Sequence, residues 1–490
     1  MDAKKTILVL IAILLLGLLL RIHDLTTESL WLDEGQSIKM ASLEPFHIIK
    51  QCTKDNHPPL YYIILHYWIK IFGDSEFSVR FLSVLFGFIA LIVVYKLGSL
   101  LFNRRAGLLS ALLMSTSVFY IANSQDAKMY CLGVLLTLSS MYFFIKLFDK
   151  RDIAISAGYI LSTFLLISTL YLGFFIILVQ HIFLITVLLL SKGRYNINFK
   201  KWFTMQFILL IAYMPWLYFP ISRLMDIASN PTAISETQIA PSVISAIKIF
   251  AGSHPSFFVF IVVAAISLIP AGARDTRNIT FSYFKKIYFL TLWLFIPTVI
   301  ILWFIIFRWK FFFLAARYLT LGSMAFYLLV AQGINNIRMR YLRITAICVV
   351  ITVSLITTCS YYVRTTKNQW REVAWYIDEN AKPWDVLLFH KGYFQENVFD
   401  YYSEKQDLIK IPLPEQTRKI PMKMKEIVIG INEKDIEKAW PRIKSRDRVW
   451  LILCHDRDRK GLIKKKLRKT FKESHVKKYF GIEVYLFEKT

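Results

Sequence analysis

Repeated apolar runs of about bilayer length constrain this chain more than any other feature. A lipid-spanning helix needs ~20 predominantly apolar residues. The sequence supplies them in series at Ile7–Leu20, Phe81–Phe102, Ala106–Ala122, Tyr130–Phe148, Ile153–Leu172, Gly173–Leu190, Trp202–Phe219, Phe257–Ala271, Ile287–Ile306, Tyr318–Gln332 and Tyr341–Tyr362. Hydrocarbon offers no partner to a backbone N–H or C=O, so such runs fold as helices. We therefore expect a polytopic α-helical membrane protein with about eleven transmembrane helices. The run Leu60–Phe72 is short and carries His66 and Lys70 one turn apart; it reads as an interfacial helix lying on the membrane. Tyr171-Leu172-Gly173 predicts a tight hairpin between two spans.

Basic residues set the expected orientation. Lys4 and Lys5 precede the first run, and Arg21-Ile22-His23-Asp24 follows it where a small-residue cleavage box would stand. The run is expected to remain as an uncleaved span rather than a signal peptide. With the N-terminus inside, Arg104-Arg105, Lys146, Lys285-Lys286 and Arg338, Arg340 and Arg343 all fall in short inner loops, as the positive-inside rule requires. The net charge of +26 then needs no nucleic-acid partner. An odd number of spans puts a long loop, residues 22–80, and a tail, residues 364–490, on the outer face. The protein is read as a multi-pass cell-membrane protein with residues 1–363 as its membrane domain. The five cysteines show no C-x-x-C spacing, so neither a disulfide framework nor a metal site is inferred from them.

The tail reads as a small extracytoplasmic α/β domain. Asp385–Phe389, Glu426–Ile431, Arg448–Leu453 and Glu483–Phe487 carry the β-branched and aromatic content of strands. Gln369–Asn380, Glu433–Trp440 and Lys460–Phe471 read as helices. The basic run Lys464-Lys465-Lys466-Leu467-Arg468-Lys469 is a solvated helix face or a contact for anionic headgroups.

The loop after the first span is the only long polar passage in the first third of the chain. It contains Trp31-Leu32-Asp33-Glu34, then His57-Pro58-Pro59-Leu60-Tyr61-Tyr62, then Phe77-Ser78-Val79-Arg80-Phe81-Leu82. Ionisable groups at a membrane boundary are costly and mark functional sites. In this order these stretches resemble glycosyltransferase family 39, which includes the protein O-mannosyltransferases and the bacterial lipid A aminoarabinose transferases, all of the GT-C fold. Two later stretches fit the same resemblance. Ser124-Gln125-Asp126-Ala127-Lys128-Met129-Tyr130 is similar to the family's acidic–Ala–Arg–x–Tyr element, with Lys128 in place of the usual Arg. Ala316-Arg317-Tyr318-Leu319 is similar to its Arg-Tyr element.

The resemblance implies a GT-C membrane domain that moves a sugar from a polyprenyl-phosphate donor to a lipid, glycan or protein acceptor at the outer leaflet, with inversion. An acceptor hydroxyl needs a base within hydrogen-bond reach. Asp33 is the candidate base, and Glu34 positions the acceptor or tunes Asp33. A departing phosphate needs fixed cations. Arg317 and Lys128 are the candidates, with Arg80 and His57 behind them and Asp126, Tyr130 and Tyr318 in support. No cofactor is expected: some relatives use a divalent cation, but no D-x-D is present. Each residue also has a plainer reading. Asp33 caps a Glu34–Met40 helix, Glu34 complements its dipole, His57 shapes a turn, Asp126 pairs with Lys128, Arg80 anchors a helix end, and Lys128 and Arg317 snorkel to headgroups. The rival functions are a polyprenyl-lipid flippase or transporter without chemistry, and a structural membrane adaptor.

Overall fold

The computed structural model describes residues 2–53, 57–149, 152–190, 199–229, 254–269, 283–303, 319–390, 392–413, 433–454 and 461–489. The chain packs as two units. One comprises Met1–His23, Asn56–Tyr61 and Arg80–Val363; the other comprises Asp24–Asp55, Tyr62–Val79 and Arg364–Thr490. The second unit takes in most of the loop that follows the first span as well as the tail.

The first unit is helical. Among the described residues, six helices are long and apolar enough to cross a membrane: Ala3–Ile22, Glu76–Leu101, Gly173–Leu190, Lys200–Ile221, Tyr283–Ile301 and Arg340–Val363. Leu60–Phe72, Tyr130–Lys146 and Ile153–Ile167 are shorter apolar helices. The last of these joins Gly173–Leu190 through the turn at 168–172. This is a multi-pass membrane protein. Thr320–Asn336 is its innermost helix: every residue but Asn335 is buried, and Arg104–Ser115, His254–Ile266 and Tyr283–Trp303 pack around it. A helix covered on all sides has no polar face to give to water.

The run Ala106–Ala122, expected as one straight span, is broken. Arg104–Ser115 and Val118–Ser124 meet at 62°, at the hydroxyl-rich Ser115-Thr116-Ser117. A bend inside lipid frees backbone carbonyls, and they must find donors. The fully buried Arg21 supplies them. Its Nη2 donates to the Met114 carbonyl at 3.1 Å, Nη1 to those of Ser115 at 3.2 Å and Gly17 at 2.9 Å, and Nε to Ser124 Oγ at 3.2 Å. Thr358 Oγ1 donates to the Thr116 carbonyl at 3.0 Å. Gly87 leaves room for this cluster; a Cβ there would lie 2.5 Å from Ser124 Oγ and 3.3 Å from Arg21 Nε. An unsatisfied buried carbonyl costs ~1–3 kcal/mol. With two of them orphaned, Arg21→Met should lose roughly 2–6 kcal/mol of stability, read as a lowered thermal unfolding midpoint in detergent. A midpoint equal to that of the parent protein would deny Arg21 this role.

The sheet of the second unit runs β2-β1-β3-β5-β4: β1 is Val386–His390, β2 Ile409–Leu413, β3 Arg448–Cys454, β4 Phe471–Tyr479 and β5 Ile482–Lys489. β2, β1 and β3 are parallel, and β5 and β4 continue the sheet antiparallel. Alternate residues Val386, Leu388, Val449, Leu451 and Leu453 pack with Ile436, Ala439 and Ile443 of the helix Glu433–Lys444. On β1, Phe389 meets Phe399 of the helix Gly392–Tyr402 at 5.5 Å between ring centres. The expected strands at 385–389, 448–453 and 483–487 correspond to β1, β3 and β5. Glu426–Ile431 lies outside the described residues. The helix expected over Lys460–Phe471 is confined to Leu462–Leu467, because Phe471 already belongs to β4.

Candidate active site

The two neighbouring carboxylates sit in the first turn of the helix Leu32–Ala41 in the second unit, with Trp31 at the N-cap. Asp33 is therefore inside the helix, and its reading as the cap is corrected. Acidic side chains in a first turn face the positive end of the helix dipole. The two differ in surroundings. Glu34 is fully buried; its Oε2 accepts the Trp31 backbone N–H at 3.2 Å and the Lys367 ammonium at 3.1 Å. Asp33 is half-buried, and its backbone carbonyl accepts Ser37 Oγ at 3.0 Å. Of the pair, Asp33 is the more exposed.

This helix rests on the tail. A Cβ on Gly35 would lie 2.9 Å from the Val398 Cβ and 3.0 Å from its Cα, and Asn397 Nδ2 donates to Gln36 Oε1 at 2.8 Å. Only glycine allows the Gly392–Tyr402 helix this close. Overpacking of such a contact costs ~1–3 kcal/mol. Gly35→Ala should lower stability by that much, measured as earlier thermal unfolding; an unchanged midpoint would show that Val398 moves aside without cost.

The stretch before the helix is held by residues just after the last span. Glu28 accepts from the Thr366 backbone and hydroxyl and from Lys367 N–H. Ser29 Oγ donates to the Asn368 carbonyl at 2.6 Å and accepts the Trp370 N–H at 3.0 Å. Leu30 N–H donates to the Tyr402 hydroxyl at 2.6 Å, and that hydroxyl donates to Glu76. Arg371 closes the cluster on Glu76 and on the Thr26 carbonyl. Burial, and then the Glu76 charge, hold the Tyr402 phenol well above its ordinary range, so it stays a neutral donor.

The first unit carries the candidate cations. Lys128 lies in the turn before the helix Tyr130–Lys146. Its backbone N–H donates to the Asp126 carbonyl at 2.7 Å, and the Lys128 carbonyl accepts Ser83 Oγ at 3.3 Å. Gln125 pins the same turn: its Nε2 donates to the carbonyls of Arg21 at 3.2 Å and His23 at 2.7 Å, and its Oε1 accepts from Tyr361 at 3.0 Å. Lys128 is 4% exposed, and among the described residues its ammonium has no acceptor. Arg80 is 1% exposed. It stands one turn before Ser83, on the same helix face. Tyr130 is buried, Asp126 half-buried, and the half-buried His57 occupies a bend before Leu60–Phe72. Arg317 and Tyr318 lie outside the described residues.

Sequence reasoning passed over three residues here. Arg21 looked like a span terminus. Gln125 sat inside a recognised motif without a role. Lys367 carries no local signal, because its partner lies more than three hundred residues away.

Comparisons with known proteins follow this geometry. Residues 56–219 match the family described as dolichyl-phosphate-mannose-protein mannosyltransferase. That stretch contains His57, Arg80, Asp126, Lys128 and Tyr130 but not Asp33. No curated protein sequence matches the chain. Among solved structures, ArnT from Cupriavidus metallidurans in the apo state superposes with a TM-score of 0.63 at 12% identity, covering 99% of this chain and 98% of that one. The same protein bound to undecaprenyl phosphate gives 0.62. The Archaeoglobus fulgidus oligosaccharyltransferase AglB, in complex with an inhibitory peptide and a dolichol-phosphate, gives 0.58 at 12% identity over 92% of this chain and 70% of that one. The chain thus shares the fold of these solved structures, and its residues 56–219 match the mannosyltransferase family, in line with the resemblance read from the sequence.

Proposed function

We propose that this protein is an inverting membrane glycosyltransferase that moves a sugar from a polyprenyl phosphate to an acceptor hydroxyl at the outer face of the membrane. One observation carries the reading: Lys128 is 4% exposed, and no hydrogen bond or ion pair of its ammonium is found among the described residues. A fixed cation not already used by a neighbouring side chain is suited to receive an anionic ligand. The family match and the fold support a lipid phosphate as that anion.

In the proposed reaction Asp33 takes the proton of the acceptor hydroxyl. The freed oxygen attacks the anomeric carbon as the bond from that carbon to the phosphate oxygen breaks. The phosphate leaves with the bonding electrons, and Lys128, Arg80 and Arg317 receive its charge. Asp126, Tyr130, Tyr318 and His57 support the phosphate-binding elements. Glu34, fully buried with its donors in place, positions the turn. Mass analysis of outer-surface glycans from cells with and without the protein tests this. The expected result is loss of one defined saccharide mass from a lipid, glycan or protein. An identical glycan profile would end the proposal.

A further inference from the structure

We infer that Lys367, in the linker after the last span, is a positioning residue for the transfer reaction: its ammonium neutralises buried Glu34 and so fixes the turn that carries Asp33. The inference rests on the proposed role of Asp33 and adds to it a device in the tail that no family motif marks.

Glu34 is 0% exposed and the Lys367 side chain 11% exposed, with Nζ 3.1 Å from Oε2. The same Oε2 accepts the Trp31 N–H. Trp31 is the N-cap of the helix and makes no side-chain hydrogen bond as cap. A helix start leaves donors without partners, and here the Glu34 side chain reaches back to serve one of them. Its carboxylate is thus both the clamp on the turn and a charge removed from water. Burial of that charge is tolerated only with a partner. Without the ammonium, the carboxylate takes up a proton or swings toward water. Either change loosens the Trp31 clamp, and Asp33 is the next residue along. Lys367 is itself fixed, since its backbone N–H donates to Glu28 at 3.1 Å and Asn368 is bound by Ser29.

Lys367 touches no reacting atom in this scheme. A displacement of about 1 Å at a reacting group costs about a hundredfold in rate, and that is the loss expected of Lys367→Met. The assay follows release of free polyprenyl phosphate by purified protein from polyprenyl lipids extracted from the source membranes, with that cell's envelope glycans supplied in excess as acceptor and the extract amount varied. The maximal rate should fall while the half-saturating amount of extract stays constant. Lys367→Arg should restore most of the rate. Removing the buried charge should also rescue. In Glu34→Gln the side-chain amide oxygen still accepts the Trp31 N–H but needs no cation, so Glu34→Gln/Lys367→Met should be at least tenfold faster than Lys367→Met.

A Lys367→Met protein as active as its parent would overturn the inference, and so would a double variant no faster than the single one. Should Lys367→Met fail to fold, the comparison within the Glu34→Gln background decides: a loss from Lys367→Met there under about threefold supports the inference, and a larger one overturns it. Asp33→Asn in the same assay separates the two levels. If that variant keeps full activity, the parent reading fails; if it is inactive while Lys367→Met is not, only this inference fails.

Discussion

Replacing Asp33 with Asn is expected to lower the rate of sugar transfer by about 10²–10⁴-fold, the usual worth of a general base, while leaving the protein folded and able to bind its donor lipid. The substitution preserves size while removing the charge and the capacity to take a proton. The fold should tolerate it. Asp33 sits in a helical first turn and is half-buried, so the lost dipole contribution is worth ~0.3–1 kcal/mol. The neighbouring clamp from Glu34 to Trp31 and Lys367 does not depend on the Asp33 side chain. The measurement is the initial rate of polyprenyl phosphate release, paired with retention of undecaprenyl phosphate in native mass spectra. A rate within threefold of the parent would remove Asp33 from the chemistry.

Replacing Lys128 with Met should cost about 10²–10³-fold, as loss of one preorganised donor to a developing anion does. The diagnostic feature is that stability does not fall with it. Lys128 is 4% exposed, and no hydrogen bond or ion pair of its ammonium is found among the described residues, so an apolar side chain of similar length keeps the packing there. The Met variant is expected to be at least as stable as the parent while binding undecaprenyl phosphate more weakly. Lys128→Arg should keep most of the activity, because a guanidinium presents a planar fork that suits phosphate. A Met variant that loses stability together with activity would instead mark Lys128 as part of the packing.

Much of the architecture is visible in the residues because lipid imposes one answer on a long apolar run. The same simplicity hides the break at Ser115–Ser117. Hydropathy is continuous across it, and the compensating donor, Arg21, lies some ninety residues earlier. In the tail, β1 and β3 are legible because both are buried and, apart from the terminal His390 and Arg448, apolar throughout. β2 and β4 are not, and both are edge strands. β2 carries Pro412, which a strand tolerates at an edge. β4 reads Lys-Glu-Ser-His-Val-Lys-Lys through its middle and shifts register between Glu473 and His475, so no alternation survives. Edges rich in lysine and bulges resist pairing with other chains, and that property removes the signal.

The site shows the same division. Trp31-Leu32-Asp33-Glu34 and the Asp126–Tyr130 turn stand out because charge next to an apolar run is conspicuous. Their supports do not. Gly35 against Val398, Gln36 with Asn397 and Glu34 with Lys367 each join residues more than three hundred positions apart. A single sequence carries no trace of such pairings, so the second unit's claim on the loop after the first span emerges only from the structure.

The proposed function requires that this protein break the bond between a sugar and a polyprenyl phosphate. The most direct test uses purified protein in detergent, where no bilayer exists for a lipid to cross. It is incubated with polyprenyl lipids extracted from the source membranes together with that cell's envelope glycans, and the lipids are followed by mass spectrometry. Free polyprenyl phosphate should accumulate with the parent protein, at a rate at least a hundredfold above that with Asp33→Asn. Lipids recovered with their sugars intact, or consumed equally by both proteins, would contradict it and leave a carrier of these lipids as the better description.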